Sequence, residues 1–176
     1  AAFLTFAYTF WVALGLIFKE NQPNDPVPFR KGLKGLLIVV LIQIIYGAFV
    51  AGLNAGFVFN TFPKMGDEWF PAAITAMKPW YLNFIDGIGG VQFLHRYLAY
   101  VVVFWVIYLV LKSNKWELTH LQKHGLRGIM YMVFVQFTLG VLTIYYQVPI
   151  ALGVVHQIGA FLLLGAIIFA LATVKR

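Results

Sequence analysis

Long apolar runs broken by short polar stretches set the plan of the chain. A helix needs roughly 20 apolar residues to cross a hydrocarbon layer about 30 Å thick. Five runs approach or exceed that length: 1–18, 35–59, 91–111 and two within 128–174. The last stretch holds no Lys, Arg, Asp or Glu, and its length fits two spans folded back at Tyr145-Tyr146-Gln147-Val148-Pro149. The predicted fold class is an all-α membrane protein with five transmembrane helices, the last four forming a bundle.

Composition then fixes the solvent. Hydrophobic residues make up 61% of the chain and charged ones 11%, with a mean hydropathy of +0.83. Soluble domains are roughly half apolar and a quarter charged, so the chain is built for lipid. Thirteen Lys and Arg give a formal charge of +7, but they are scattered over short connections and form no basic stripe, which argues against nucleic acid as a partner. The chain has no cysteine, which excludes disulfides, thiolate metal sites and thiol nucleophiles within it.

Charge also orients the helices, because Lys and Arg concentrate in cytoplasmic connections. Lys19, Arg30, Lys31 and Lys34 lie between the first two runs, Lys112, Lys115, Lys123 and Arg127 between the third and fourth, and Lys175-Arg176 at the end. The loop 60–90 sets Lys64 and Lys78 against Asp67, Glu68 and Asp86. The chain is thus predicted to start outside and end in the cytoplasm.

Run 1–18 is aromatic and uncharged, reading as a lipid-facing or connecting span. It begins without Met and without the basic flank of a signal peptide, so it is expected to be the tail of a helix in a longer protein. Residues 19–34, with Pro23, Pro26 and Pro28 among polar neighbours, read as an extended linker. A C-terminal bundle at 35–176 follows. In run 35–59, Ala48, Gly52 and Gly56, flanked by Gly47, Ala51 and Ala55, let a helix or a flat macrocycle approach the backbone. Gln43 precedes Gly47 by four, as Gln136 precedes Gly140, which hints at a doubled two-helix unit. The loop 60–90 has Phe62, Trp69, Phe70, Trp80 and Tyr81, suited to a membrane interface or to a lid.

The chemistry rests on two histidines. His95 lies four residues into run 91–111, and His156 is similarly placed in the stretch beginning at Ala151. Ionisable side chains inside membrane segments are rare and face a bundle interior, so two at matched depth suggest one shared ligand. We expect them to be the two axial ligands of a haem iron. Small neighbours at Ala99, Gly153, Gly159 and Ala160 would leave a slot for the porphyrin. Arg96 either snorkels to the outer interface or neutralises a haem propionate, and Lys64 is either solvated or paired with an acidic ligand group. His120 and His124, four apart before the fourth run, read as solvated loop residues rather than metal ligands.

The stretches 46–66 (YGAFVAGLNAGFVFNTFPKMG), 93–100 (FLHRYLAY) and 139–164 (LGVLTIYYQVPIALGVVHQIGAFLLL) resemble the C-terminal half of bacterial haem A synthase. The resemblance implies eight helices in two pseudo-symmetric bundles in the bacterial cytoplasmic membrane, the first handling haem O and the second holding haem b. By position His95 and His156 would be the haem b ligands, with Arg96 beside them as a cofactor-binding residue, and 1–18 would be the last helix of the first bundle. The family oxidises a porphyrin methyl of haem O to formyl, giving haem A for cytochrome oxidase, so haem O synthase and an electron donor are implied partners besides the bilayer. The catalytic carboxylate and the other two histidines would lie outside this segment, which alone would not complete the reaction. A stand-alone bis-His b-type cytochrome, and a structural or transport bundle without haem, are the alternatives.

Since the chain lacks cysteine, single cysteines at Lys115 and Glu68 should react with a membrane-impermeant maleimide from opposite sides of sealed vesicles. Labelling of both from one side would overturn the orientation.

Overall fold

The computed structural model describes residues 2–18 and 26–174; linker positions 19–25 and the terminal Lys175 and Arg176 lie outside the described residues. Among the described residues five α-helices carry the fold: α1 (Ala2–Ile17), α2 (Val27–Gly52), α3 (Ile88–Ser113), α4 (His120–Tyr145) and α5 (Ile150–Ala172). The last four are long and apolar enough to cross a membrane, and the chain is a multi-pass membrane protein. The 16 described residues of α1 rise about 24 Å at 1.5 Å each.

Helix α2 corrects the expected span at both ends. It starts eight residues earlier than 35–59, so the proline-bearing segment from Val27 onward is helix rather than extended linker. The first four amides of a helix have no intrahelical acceptor, so Pro28 in the first turn loses no bond; the Pro26 carbonyl accepts from the amides of Phe29 and Arg30 at 3.0 and 3.2 Å. At the other end the chain leaves α2 after Gly52 and passes through Asn54 in the left-handed region, φ 53°. Asn tolerates that conformation better than most side chains. Ala55 and Gly56 therefore sit on a separate short turn, and the small-residue face ends at Gly52.

Helix α4 likewise starts at His120, eight residues before the apolar run, through a capping box. The Gln122 amide donates to Thr119 Oγ1 at 3.2 Å, and the Thr119 amide donates to Gln122 Oε1 at 3.0 Å, satisfying two amides otherwise left open. Buried Gln122 also donates through Nε2 to the Thr173 carbonyl at 3.1 Å. His120 and His124 are thus helical rather than loop residues, and both are exposed.

The chain divides into two compact units. The first comprises Ala1–Val40, Val102–Gln136 and Ile158–Arg176. Here α2 buries Phe29, Leu33, Leu36 and Val40, and α4 buries Gln122, Leu126, Ile129 and Val133, a stripe repeated at a constant separation of 93 residues. Buried Val102, Val106 and Leu109 of α3 correspond to Leu163, Ile167 and Ala170 of α5 at a separation of 61. The contacts repeat too. A Cβ on Gly32 would fall 2.5 Å from Leu109 Cδ2, and one on Gly125 3.2 Å from Ala170 Cβ. In each hairpin a glycine brings the helices close enough for side chain to meet backbone.

The repeat breaks at Trp105. The Trp105 indole packs on Gly35, where a Cβ would lie 2.6 Å away, and donates from Nε1 to the Gly32 carbonyl at 3.2 Å. The matching pair, Gly128 and Ala166, leaves a groove of about 410 Å³ that Phe6, Phe10 and Phe161 also line. Helix α1 is accordingly packed rather than merely lipid-facing: Phe6 meets Phe161 of α5 in a tilted pair with ring centroids 3.8 Å apart, and Phe18 meets Phe169 edge-on.

The second unit, Leu41–Val101 and Phe137–Gln157, holds the long loop. Its far part is organised by buried Asn83, whose Oδ1 accepts from the Met77 amide at 2.7 Å and whose Nδ2 donates to the carbonyls of Met77 and Trp80 at 2.9 and 2.8 Å. Gly90 is required beneath it, because a Cβ there would lie 2.1 Å from the Asn83 carbonyl oxygen.

Removing the cap hydroxyl in Thr119→Ala should cost about 1 kcal/mol, and Gln122→Ala should cost more because it also orphans the Thr173 carbonyl. Thermal unfolding in detergent checks this, with His120→Ala as the exposed control; a Gln122→Ala loss no larger than the control's would contradict the assignment.

Candidate functional site

Helices α3 and α5 carry the two histidines more evenly than the apolar runs predict. His95 stands seven residues into α3 and His156 six into α5, about 10 and 9 Å from the helix starts at 1.5 Å per residue. Both rings are half-buried, and both belong to the second unit.

Each ring meets a glycine on the preceding helix. Gln43 of α2 donates from Nε2 to the His95 carbonyl at 2.9 Å, and one turn on, a Cβ at Gly47 would lie 3.2 Å from His95 Cε1 and 3.8 Å from Nδ1, with Nε2 beyond 4 Å. On the other hairpin a Cβ at Gly140 would lie 3.1 Å from His156 Cε1 and 3.7 Å from both ring nitrogens. The Gln-x-x-x-Gly spacing singled out in the sequence thus marks equivalent places. His95 Nδ1 is enclosed without a hydrogen-bond partner. A Cβ at Gly153, three residues before His156, would meet nothing within 4 Å.

Arg96 is not a snorkelling residue. It is 6% exposed and grips the start of the long loop: Nη1 donates to the carbonyls of Thr61 and Lys64 at 2.7 and 3.1 Å, and Nη2 donates to that of Phe59. Buried Gln92, one turn earlier, donates to the same Phe59 carbonyl at 3.0 Å. Arg96 Nε and Gln92 Oε1 are enclosed without partners. Lys64 contributes its carbonyl while its side chain is exposed.

Asn60 completes the closure, donating from Nδ2 to the carbonyls of Gly56 at 2.7 Å and of Ile144 on α4 at 3.2 Å. Phe62 packs against Tyr100 of α3 and Phe137 of α4. The clamp roles of Asn60 and Gln92 escaped sequence reasoning, although the Asn-Thr-Phe-Pro stretch and the i, i+4 spacing of Gln92 and Arg96 were signals. Asn83 had no signal beyond the glycines after it.

Among the described residues no group of three or more His, Cys, Asp or Glu could hold a bare metal ion. A bare ion takes about four ligands. Two imidazoles in one unit suit a ligand that brings its other donors with it.

The chain is matched over residues 1–168 by the family COX15-CtaA, described as cytochrome oxidase assembly protein. The chain belongs to this family. Similar relatives include proteins named Heme A synthase from Flavobacterium johnsoniae, 48% identical over 99% of this chain and 52% of the relative, and from Nitrosospira multiformis, 36% identical over 99% and 50%. A third, named Heme A synthase COX15, from Arabidopsis thaliana, is 37% identical over 100% of this chain and 40% of the relative. The chain spans about half the length of these curated relatives and matches their C-terminal half. In this COX15-CtaA chain the three stretches that carried the resemblance coincide with the glycine-lined end of α2 and its loop, the His95 turn of α3, and the α4–α5 turn with His156.

Hydrogen bonds from a charged donor contribute about 1.5–3 kcal/mol each, so Arg96→Met should release the loop. Amide exchange at residues 59–66 is expected to quicken while residues 77–87, held by Asn83, stay protected. Unchanged exchange at 59–66 would refute the clamp.

Proposed function

We propose that His95 and His156 are the two axial ligands of a haem b iron, and that this chain is the haem b-binding C-terminal half of haem A synthase. The observation that carries the reading is the matched setting of the imidazoles: two rings in one compact unit, on different helices long and apolar enough to cross a membrane, each backed by a glycine of the preceding helix. Two protein ligands suffice for iron only when a macrocycle supplies the remaining donors, which fits the donor set here. His95 turns its Cε1–Nδ1 edge toward Gly47, leaving Nε2 as the nitrogen for a metal.

When bound, haem supplies one-electron chemistry whose potential the surrounding dielectric and hydrogen bonds tune. The residues' own part is to bind, orient and exclude water. Gln43 fixes the α3 backbone at His95. Arg96 and Gln92 hold residues 59–64 down beside the His95 turn, and Asn60 ties the same segment to α4. Arg96 is itself a buried cation whose hydrogen bonds go to neutral carbonyls, with Nε still unpartnered. A haem propionate within reach would offset the cost of burying that charge.

With His95 and His156 holding the iron, this half would be suited to electron transfer or to a structural role. Oxidation of the haem O methyl to formyl belongs to the whole protein, and haem O synthase and an electron donor are its proposed partners. The histidine end is proposed to face outward from a bacterial cytoplasmic membrane, with the C-terminus in the cytoplasm. A stand-alone b-type cytochrome is the second reading, favoured by the same pair of histidines.

Absorption spectra of the purified protein test ligation. His95→Ala and His156→Ala should each remove one haem equivalent from the Soret band, and a band unaltered in both variants would refute it. Pigment extracted from cells expressing the full-length gene separates the two readings, since only the synthase yields formyl haem.

A further inference from the structure

We infer that Gly47 and Gly140 are paired stops that set the rotation of the two imidazoles, each hairpin seating its ring on the glycine at the matching position. The inference rests on the proposed ligation by His95 and His156, and adds to it which residues fix the ring planes. Three observations carry it.

The first is contact. A Cβ at Gly47 would approach His95 Cε1 to 3.2 Å, and one at Gly140 would approach His156 Cε1 to 3.1 Å. Both fall inside ordinary van der Waals separation. Each ring therefore rests on glycine backbone, and a methyl there would push it aside by a few tenths of an ångström.

The second is recurrence. Gly47 and Gly140 stand at the 93-residue separation that also relates Gln43 to Gln136, Gly32 to Gly125, and the buried stripes of α2 and α4. His95 and His156 stand at the 61-residue separation that relates the buried positions of α3 and α5. The glycine–imidazole contact is thus part of a repeated hairpin, formed by the same pair of positions twice.

The third is selectivity. Other glycines of these helices face different partners, Gly35 the Trp105 indole and Gly125 Ala170, while a Cβ at Gly128 would meet nothing. A glycine is thus not demanded everywhere on α4. At Gly47 and Gly140 the nearest atoms are imidazole atoms.

Rotation of an imidazole about Cβ–Cγ is broad, with no staggered wells to fix it. A backbone stop on one edge restricts that rotation before any metal arrives. The low-spin signal of bis-imidazole iron depends on the angle between the ring planes, so it reads this rotation independently of activity.

The test uses the full-length protein purified in detergent and oxidised. Gly47→Ala and Gly140→Ala should each retain haem but shift the largest g-value of the low-spin electron paramagnetic resonance signal, with a change in midpoint potential. Gly47→Leu and Gly140→Leu should lose most of one haem equivalent, with helix content by circular dichroism preserved. Gly128→Ala and Gly128→Leu should leave both readouts unchanged. If the glycine variants match wild type while His95→Ala loses haem, the stops are refuted and ligation stands. If His95→Ala and His156→Ala also leave the signal unchanged, ligation falls and this inference with it.

Discussion

The close approach of one helix backbone to another, permitted by glycine at recurring positions, is the constraint on which this molecule depends. In lipid there is no hydrophobic gain from bringing apolar helices together, so van der Waals contact must supply the cohesion. That contact is largest where a side chain reaches the opposing backbone, as Leu109 does at Gly32, Trp105 at Gly35 and Ala170 at Gly125. The two imidazoles use the same kind of seat at Gly47 and Gly140. Packing device and site are one motif.

Repetition explains why the site comes in matched halves. Hairpin α2–α3 and hairpin α4–α5 share their buried stripes, their Gln-x-x-x-Gly and their histidine, although a long loop joins the helices of the first and a tight turn those of the second. The difference in connection alters nothing in the pairing of helices. It gives the first hairpin a segment, 59–64, that Arg96 and Gln92 draw down beside His95. Where the repeat fails, at Trp105 against Ala166, a groove opens instead.

Much of this was legible beforehand, for physical reasons. Apolar run length in a bilayer fixes which segments are helices, and the turn at 145–149 fell where the uncharged length put it. The matched histidines and the two Gln-x-x-x-Gly pairs were visible because ionisable or small residues stand out against an apolar background. Helix starts were misplaced by eight residues at α2 and α4, since run length registers hydrophobicity alone. The first turn at Pro28 and the capping box at Thr119 and Gln122 depend on backbone hydrogen bonds that hydropathy does not see.

By itself, then, the sequence determined the solvent, the helices long enough to cross it and the two histidines that stand out within them, because each follows from side-chain chemistry read locally along the chain. Only the tertiary structure decided that Arg96 grips the carbonyls of Phe59, Thr61 and Lys64 instead of reaching the interface, and that each imidazole rests on a glycine from another helix. Those outcomes turn on which buried groups find partners at hydrogen-bonding and van der Waals distance, a property of residues far apart in the chain and adjacent only once it has folded.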